Sequence, residues 1–160
     1  MDDAIDPRAV IGHVHLKVSD VDRSEEWYRR VLGFETQTRY GSDAVFMSAG
    51  GYHHHLGLNQ WHSKGAGPAP VRAPGLFHFA ILYPDRASLA RALKRVLESG
   101  WSIDGASDHG VSEAIYLHDP DGNGIELYRD RPKEEWPRHP DGSLGMTTEA
   151  LDLNSLLAEA

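Results

Sequence analysis

IGHVHLKVSDVDRSEEWYRRVL, residues 11–32, returns 65 positions later as LFHFAILYPDRASLARALKRVL, residues 76–97. His13 falls on His78, Asp20 on Asp85, and Arg30-Val31-Leu32 on Arg95-Val96-Leu97. Self-similarity at a fixed offset means that one supersecondary unit occurs twice, and it constrains the fold more than any local propensity does. Residues 11–18 and 77–83 are rich in β-branched, aromatic and aliphatic types and read as strands. Asp20 and Asp85 are suited to cap the helices that follow, since a short carboxylate accepts the free amide protons of a first helical turn. Trp27, Tyr28, Val31 and Leu32 then share one helical face, as do Leu89, Leu93, Val96 and Leu97, and Gly33 and Gly100 close the helices.

Short strands are expected after each helix, at 35–40, 44–48 and 54–61 in the first half and at 101–103, 112–118 and 124–129 in the second. Residues 119–124, DPDGNG, are dense in turn formers and read as the hairpin between the last two strands. The fold class is therefore α+β: two paired βαβββ modules forming one cupped mixed sheet around a metal site, with the helices outside. The domain is expected over 8–131, with modules at about 10–62 and 76–131 and a Pro/Gly/Ala linker at 63–75 (SKGAGPAPVRAPG). Residues 132–160 read as a C-terminal arm with a weak helix at Leu151–Leu157, packing on the domain or on a neighbouring subunit.

Composition narrows the function. Sixteen basic residues against twenty-four acidic ones give a net charge of −8, which repels nucleic acid phosphates and anionic membrane. Cysteine is absent, so disulfides, thiolate metal sites and a cysteine nucleophile are excluded. The N-terminal residues do not resemble a signal peptide and no apolar run reaches the ~20 residues of a membrane span. A cytoplasmic protein is the expectation.

Histidine is unusually frequent, ten in 160 residues, and clustered at 13 and 15, 53–55, 78, 109 and 118. Without cysteine, imidazole and carboxylate are the strong metal ligands that remain. His13 and His78 stand at equivalent places of the repeat. Glu126, in GIELY, is a carboxylate inside an otherwise apolar strand, where a charge is costly unless paired or coordinated. His13, His78 and Glu126 are therefore the candidate metal ligands, a set of two histidines and one carboxylate of the kind that holds non-heme Fe(II) with positions left open. DPDGNG also matches the start of a calcium loop, but Asp130 stands where a bidentate Glu is required and the flanks read as strands, so calcium is not expected there.

The stretches GHVHLKVSD, YHHHLGLNQW, FHFAI and DHGVSEAIYLHDPDGNGIELY resemble the vicinal oxygen chelate superfamily, and within it the extradiol catechol dioxygenases. The resemblance runs over roughly residues 10–131 and places the metal on the same three residues, His13, His78 and Glu126. It further implies Tyr116, ten residues before the glutamate, as an assisting hydroxyl, and His54 as the acid–base residue, with His55 one step away as its rival. His109, in HGVS, matches a further cavity histidine, and His15 and His55 are expected to line the substrate. The implied reaction is ring opening of a catechol by O₂ with Fe(II), or with Mn(II) or another divalent metal, in a homodimer. The best-known members carry four such units where this sequence has two. Two alternatives share the scaffold. One is a glyoxalase-like metal isomerase or lyase, disfavoured because HHLGLNQW lacks a carboxylate. The other is a non-catalytic drug-sequestering binder, disfavoured because the ligand set is whole. His118 is given no role, and Trp61 and Trp101 are expected to pack.

Overall fold

The computed structural model describes residues 4–160 and divides them into two compact units, residues 4–29 with 33–66, and residues 30–32 with 67–160. The first unit opens with strand β1 (Val14–Lys17) and helix α1 (Val21–Trp27), whose cap is the expected Asp20, its carboxylate accepting from the Arg23 amide at 3.0 Å. The helix continues as a π-turn over Tyr28–Leu32 and stops at Gly33, which takes the left-handed conformation at φ 81°. Strands β2 (Glu35–Tyr40), β3 (Ala44–Ser48) and β4 (Leu56–Asn59) complete a sheet ordered β1-β4-β3-β2, with β1 parallel to β4 and the other pairs antiparallel.

Alternation along these strands decides what is buried. Leu16, Val45, Met47, Leu56 and Leu58 are buried in the core, as are Trp27 and Tyr28. The opposite face carries His15, Phe46 and Gly57, which are cross-strand partners.

The second unit repeats the plan. Strand β5 (His78–Leu82) leads to α2 (Arg86–Glu98), capped by Asp85, which accepts from the Ser88 amide at 2.7 Å. Strands β6 (Gly105–Asp108), β7 (Ser112–His118) and β8 (Gly124–Asp130) follow, and β5 lies parallel to β8. The sheet order is β5-β8-β7-β6-β9, where β9 (Glu149–Ala150) comes from the C-terminal arm. Ile115, Leu117, Ile125 and Leu127 are buried, as are Leu89, Ala90, Leu93 and Val96 of α2.

The α+β class and the doubled βαβββ plan are observed, and three details differ. Where one cupped sheet was expected, the strands hydrogen-bond as two mixed sheets of four and five strands, because β1 and β5 each pair with the last strand of their own module. The strand expected at 101–103 is shifted to Gly105–Asp108, since the chain there is positioned by its ladder to β7 rather than by the propensity of Trp101 and Ile103. Leu97 is 44% exposed although it continues the apolar stripe of α2.

The arm packs on the second unit. Helix α3 (Leu153–Leu157) buries Leu156 completely and packs on α2, β9 extends the sheet beside β6, and the Trp136 indole donates to the Arg131 carbonyl at 2.8 Å. No helix among the described residues is long and apolar enough to cross a membrane.

Candidate active site

Parallel pairing of β5 with β8 brings His78 opposite Gly124 and Ala80 opposite Glu126, so His78 and Glu126 project from the same sheet face. Their side chains meet, with His78 Nε2 3.0 Å from Glu126 Oε2. Glu126 is 15% exposed and His78 32% exposed, so the carboxylate is largely removed from water while the ring edge stays open. A buried carboxylate needs a cation or several donors to offset its desolvation.

Antiparallel pairing of β7 with β8 puts Tyr116 directly across from Glu126. The Tyr116 hydroxyl has two partners in reach, His109 Nε2 at 2.7 Å and the accepting Glu126 Oε1 at 3.3 Å. Burial first, and then the neighbouring Glu126 carboxylate, push the phenol up to about 12, so it remains a protonated donor. His109 sits in the β6–β7 turn, and its Nδ1 lies 2.9 Å from the carbonyl oxygen of Thr147. The second unit thus holds a continuous polar chain, His78–Glu126–Tyr116–His109–Thr147.

Sequence reasoning missed Gly124 and Thr147. A Cβ on Gly124 would lie 2.2 Å from the Phe77 carbonyl and 3.0 Å from the His78 Cβ. Only a residue without Cβ lets β5 approach β8 closely at His78. Gly124 lies two residues before Glu126 on the same strand face, where turn and strand overlap in the sequence, so from sequence its lack of a side chain is accounted for by the turn alone. Gly124→Ala is expected to force the β5–β8 ladder apart and to destabilise the protein by about 1–3 kcal/mol, the usual cost of overpacking. Thermal melting reads the loss, and the His78 ring proton shifts should move with it.

The first unit gathers the other histidines. The His13 and His54 rings lie 4.5 Å apart, and Phe46 meets His54 edge-on at 5.1 Å. His53 and His54 approach through their Nδ1 atoms at 2.8 Å, while Tyr52 lies against His53 and His55 at 4.0 and 4.7 Å. His15 packs beside Phe46 and Trp61 at 5.7 and 5.8 Å, its ring lying over Gly57, where a Cβ would meet it at 2.9 Å. Desolvation, and then neighbouring histidine charge, lower the pKa of both His15 and His54, which favours the neutral form. Trp61 is half exposed beside His15, so it forms part of that open face rather than of the core.

Of the expected metal ligands, His78 and Glu126 are brought together in the second unit, and His13 belongs to the first. Among the described residues no group of three or more His, Cys, Asp or Glu side chains forms a ready-made metal cluster. The His78–Glu126 pair nonetheless fits adjacent ligands of one cation, since two donors each about 2.1 Å from a metal stand roughly 3 Å apart at a right angle. At the turn, both Asp119 oxygens are engaged by the turn itself, Oδ1 by the Asp121 and Asn123 amides and Oδ2 by the Asn123 side chain, each at 2.9 Å.

Known proteins share this sequence pattern and fold. The model of the Glyoxalase/Bleomycin resistance protein/Dioxygenase superfamily matches residues 10–127. A Catechol-2,3-dioxygenase of Bacillus subtilis is 44% identical over 151 residues, covering 94% of this chain and 52% of that protein. Biphenyl-2,3-diol 1,2-dioxygenase 3 of Rhodococcus globerulus is 29% identical over 75% of this chain and 63% of its own length. The chain thus spans about half to two thirds of these relatives, 52% and 63%. The crystal structure of lactoylglutathione lyase from Agrobacterium tumefaciens superposes with a TM-score of 0.60 at 24% identity, over 78% of this chain and 96% of that one, and shows the shared fold.

Proposed function

The chain belongs to the Glyoxalase/Bleomycin resistance protein/Dioxygenase superfamily, and we propose that within it the protein is a metal-dependent extradiol dioxygenase that opens a catechol-type ring with O₂. The observation that carries this reading is the paired His78 and Glu126, 3.0 Å apart on one sheet face and backed by the hydroxyl of Tyr116. The similarity to a Bacillus catechol-2,3-dioxygenase supports it. His78 and Glu126 would hold a divalent metal, with His13 as third ligand by its equivalent place in the repeat. Fe(II) suits this ligand set, and Mn(II) or another divalent ion is compatible with it. Bound there, the metal supplies Lewis acidity that favours the ionised catechol, together with the redox chemistry O₂ requires.

The chain's own residues manage protons and orientation. His54, held neutral below its ordinary value by desolvation and neighbouring histidines, is suited to take a catechol proton near neutrality, and His55 is its neighbour on the same segment. Tyr116 keeps its proton, shared at rest with His109, and turns it toward the negative charge that develops once substrate is bound. His15, beside Phe46 and Trp61, offers an aromatic-lined surface for a flat ring, and His55, against Tyr52, is given the same substrate-lining role by the family resemblance. The two modules of 8–131 form the working domain, the arm 132–160 supports it, and a homodimer is the assembly in this reading.

The test is direct. Protein reconstituted with Fe(II) and mixed with catechol in air should yield the yellow ring-cleavage product. No colour from any simple catechol with metal-loaded protein would remove the dioxygenase. Tyr116→Phe keeps the ring and removes the hydroxyl, and is expected to lower kcat by about 10²–10³-fold, the usual cost of losing one donor to a developing oxyanion. Steady-state kinetics check this, with little change in the melting temperature.

A further inference from the structure

We propose that the C-terminal arm is part of the reactive centre, the main-chain carbonyl of Thr147 fixing the tautomer of His109 and thereby the direction in which Tyr116 gives its proton. The inference rests on the roles given above to Tyr116 and His109, and concerns residues of the second unit alone.

A carbonyl oxygen has no proton, so a hydrogen bond between Thr147 O and His109 Nδ1, 2.9 Å apart, requires the proton on Nδ1. In the neutral ring Nε2 is then bare and can only accept. It lies 2.7 Å from the Tyr116 hydroxyl, which has one proton and a second acceptor at 3.3 Å in Glu126. The tautomer set by the arm therefore draws the phenolic proton to His109 and leaves Glu126 Oε1 without it. With the opposite tautomer, Nε2 would donate to the phenolic oxygen, and Tyr116 would turn its proton toward Glu126.

The contact is held from several sides. The Thr147 amide donates back to the His109 carbonyl at 3.0 Å, so the two residues are joined by a pair of hydrogen bonds. The Thr148 hydroxyl lies farther from Nδ1, at 3.5 Å, and does not displace the carbonyl. Gly110, at φ 73°, leaves no room for a side chain, since a Cβ there would meet Pro137 Cγ at 2.7 Å and Thr147 Oγ1 at 3.2 Å. Beyond Thr147 the arm is fastened by the β9–β6 ladder, by buried Leu156, and by Arg86, which pairs with Glu159 and donates to the Ser155 carbonyl. A segment with so many attachments can hold one carbonyl in place.

The experiment is long-range ¹H–¹⁵N correlation on the metal-free protein at alkaline pH, with His109 assigned through His109→Gln. The expected result is a protonated Nδ1 and a bare, acceptor-shifted Nε2. Thr147→Pro removes the amide that donates to His109, and Leu156→Ala loosens the arm at a distance. Each is expected to shift His109 toward the Nε2–H form in the folded protein. A proton on Nε2 in the wild-type protein overturns the proposal, as does the wild-type tautomer in both folded variants. Because the readout is a nitrogen shift, it is independent of whether a catechol is cleaved.

Discussion

Glu126→Ala is expected to abolish ring cleavage and to lower metal retention by more than about 100-fold, beyond what loss of a merely supporting group costs a metal site. Glu126 supplies the negative charge of the pair with His78, and its Oε2 is the atom that reaches the imidazole. Without it, the site keeps only imidazoles and a phenol, with no anionic oxygen for a hard divalent cation. Metal content after desalting, measured in parallel for wild type, Glu126→Ala and Glu126→Gln, checks this. The amide preserves the volume and the acceptor toward Tyr116, so its failure to retain metal isolates the role of charge. Equal metal content in all three would place the cation elsewhere.

The second large effect is on stability. Glu113 is only 4% exposed and is surrounded by guanidinium groups: Arg86 Nε at 2.9 Å, Arg129 Nε at 2.9 Å and Arg131 at 3.2 Å. Arg131 also pairs with Asp108, at 2.5 Å, and Arg86 with Glu159. Removing the central carboxylate leaves positive charge converging on a buried position, with Arg129 keeping the Asp130 carbonyl at 3.3 Å. Glu113→Ala is expected to cost about 3–5 kcal/mol, the range for breaking one side of a buried ion pair. At roughly 2–4 °C per kcal/mol for a chain of this size, the melting temperature should fall by around 10 °C. The exposed Arg29–Glu26 pair, at 2.6 Å, supplies the control, since breaking it should cost well under about 1 kcal/mol.

This network also shows where the sequence was legible and where it was not. Glu113, Ile115 and Leu117 alternate along β7 and so share its core-facing side. A carboxylate in phase with two buried aliphatics marks a buried charge, and its partners had to be basic. That they are Arg86, Arg129 and Arg131 depends on which strands pair, which local pattern does not specify. The repeat, the caps at Asp20 and Asp85 and the closing glycines were readable because each rests on residues close in sequence. Strand β6, with its sequence GASD, was not, because such residues become a strand only through the ladder to β7 and β9.

The site divides along the same line. His78 and Glu126 were identifiable from the repeat and from a charge in an apolar strand, and the parallel register then brought them together. Tyr116 and His109 followed from family resemblance, and their mutual hydrogen bond at 2.7 Å joins them physically. Thr147 escaped notice because it acts through its carbonyl, a group every residue has. Gly124 escaped because absence of a side chain becomes informative only when a neighbouring strand is seen to need the space.

The most direct measurement is an anomalous-difference map, recorded at the iron edge, from crystals of the protein grown with Fe(II) without oxygen. The account predicts one strong peak within about 2–2.3 Å of His78 Nε2 and a Glu126 carboxylate oxygen, as for ordinary nitrogen and oxygen ligands. A crystal whose iron lies away from both side chains, or one in which they still face each other at hydrogen-bonding distance with no peak between them, contradicts it.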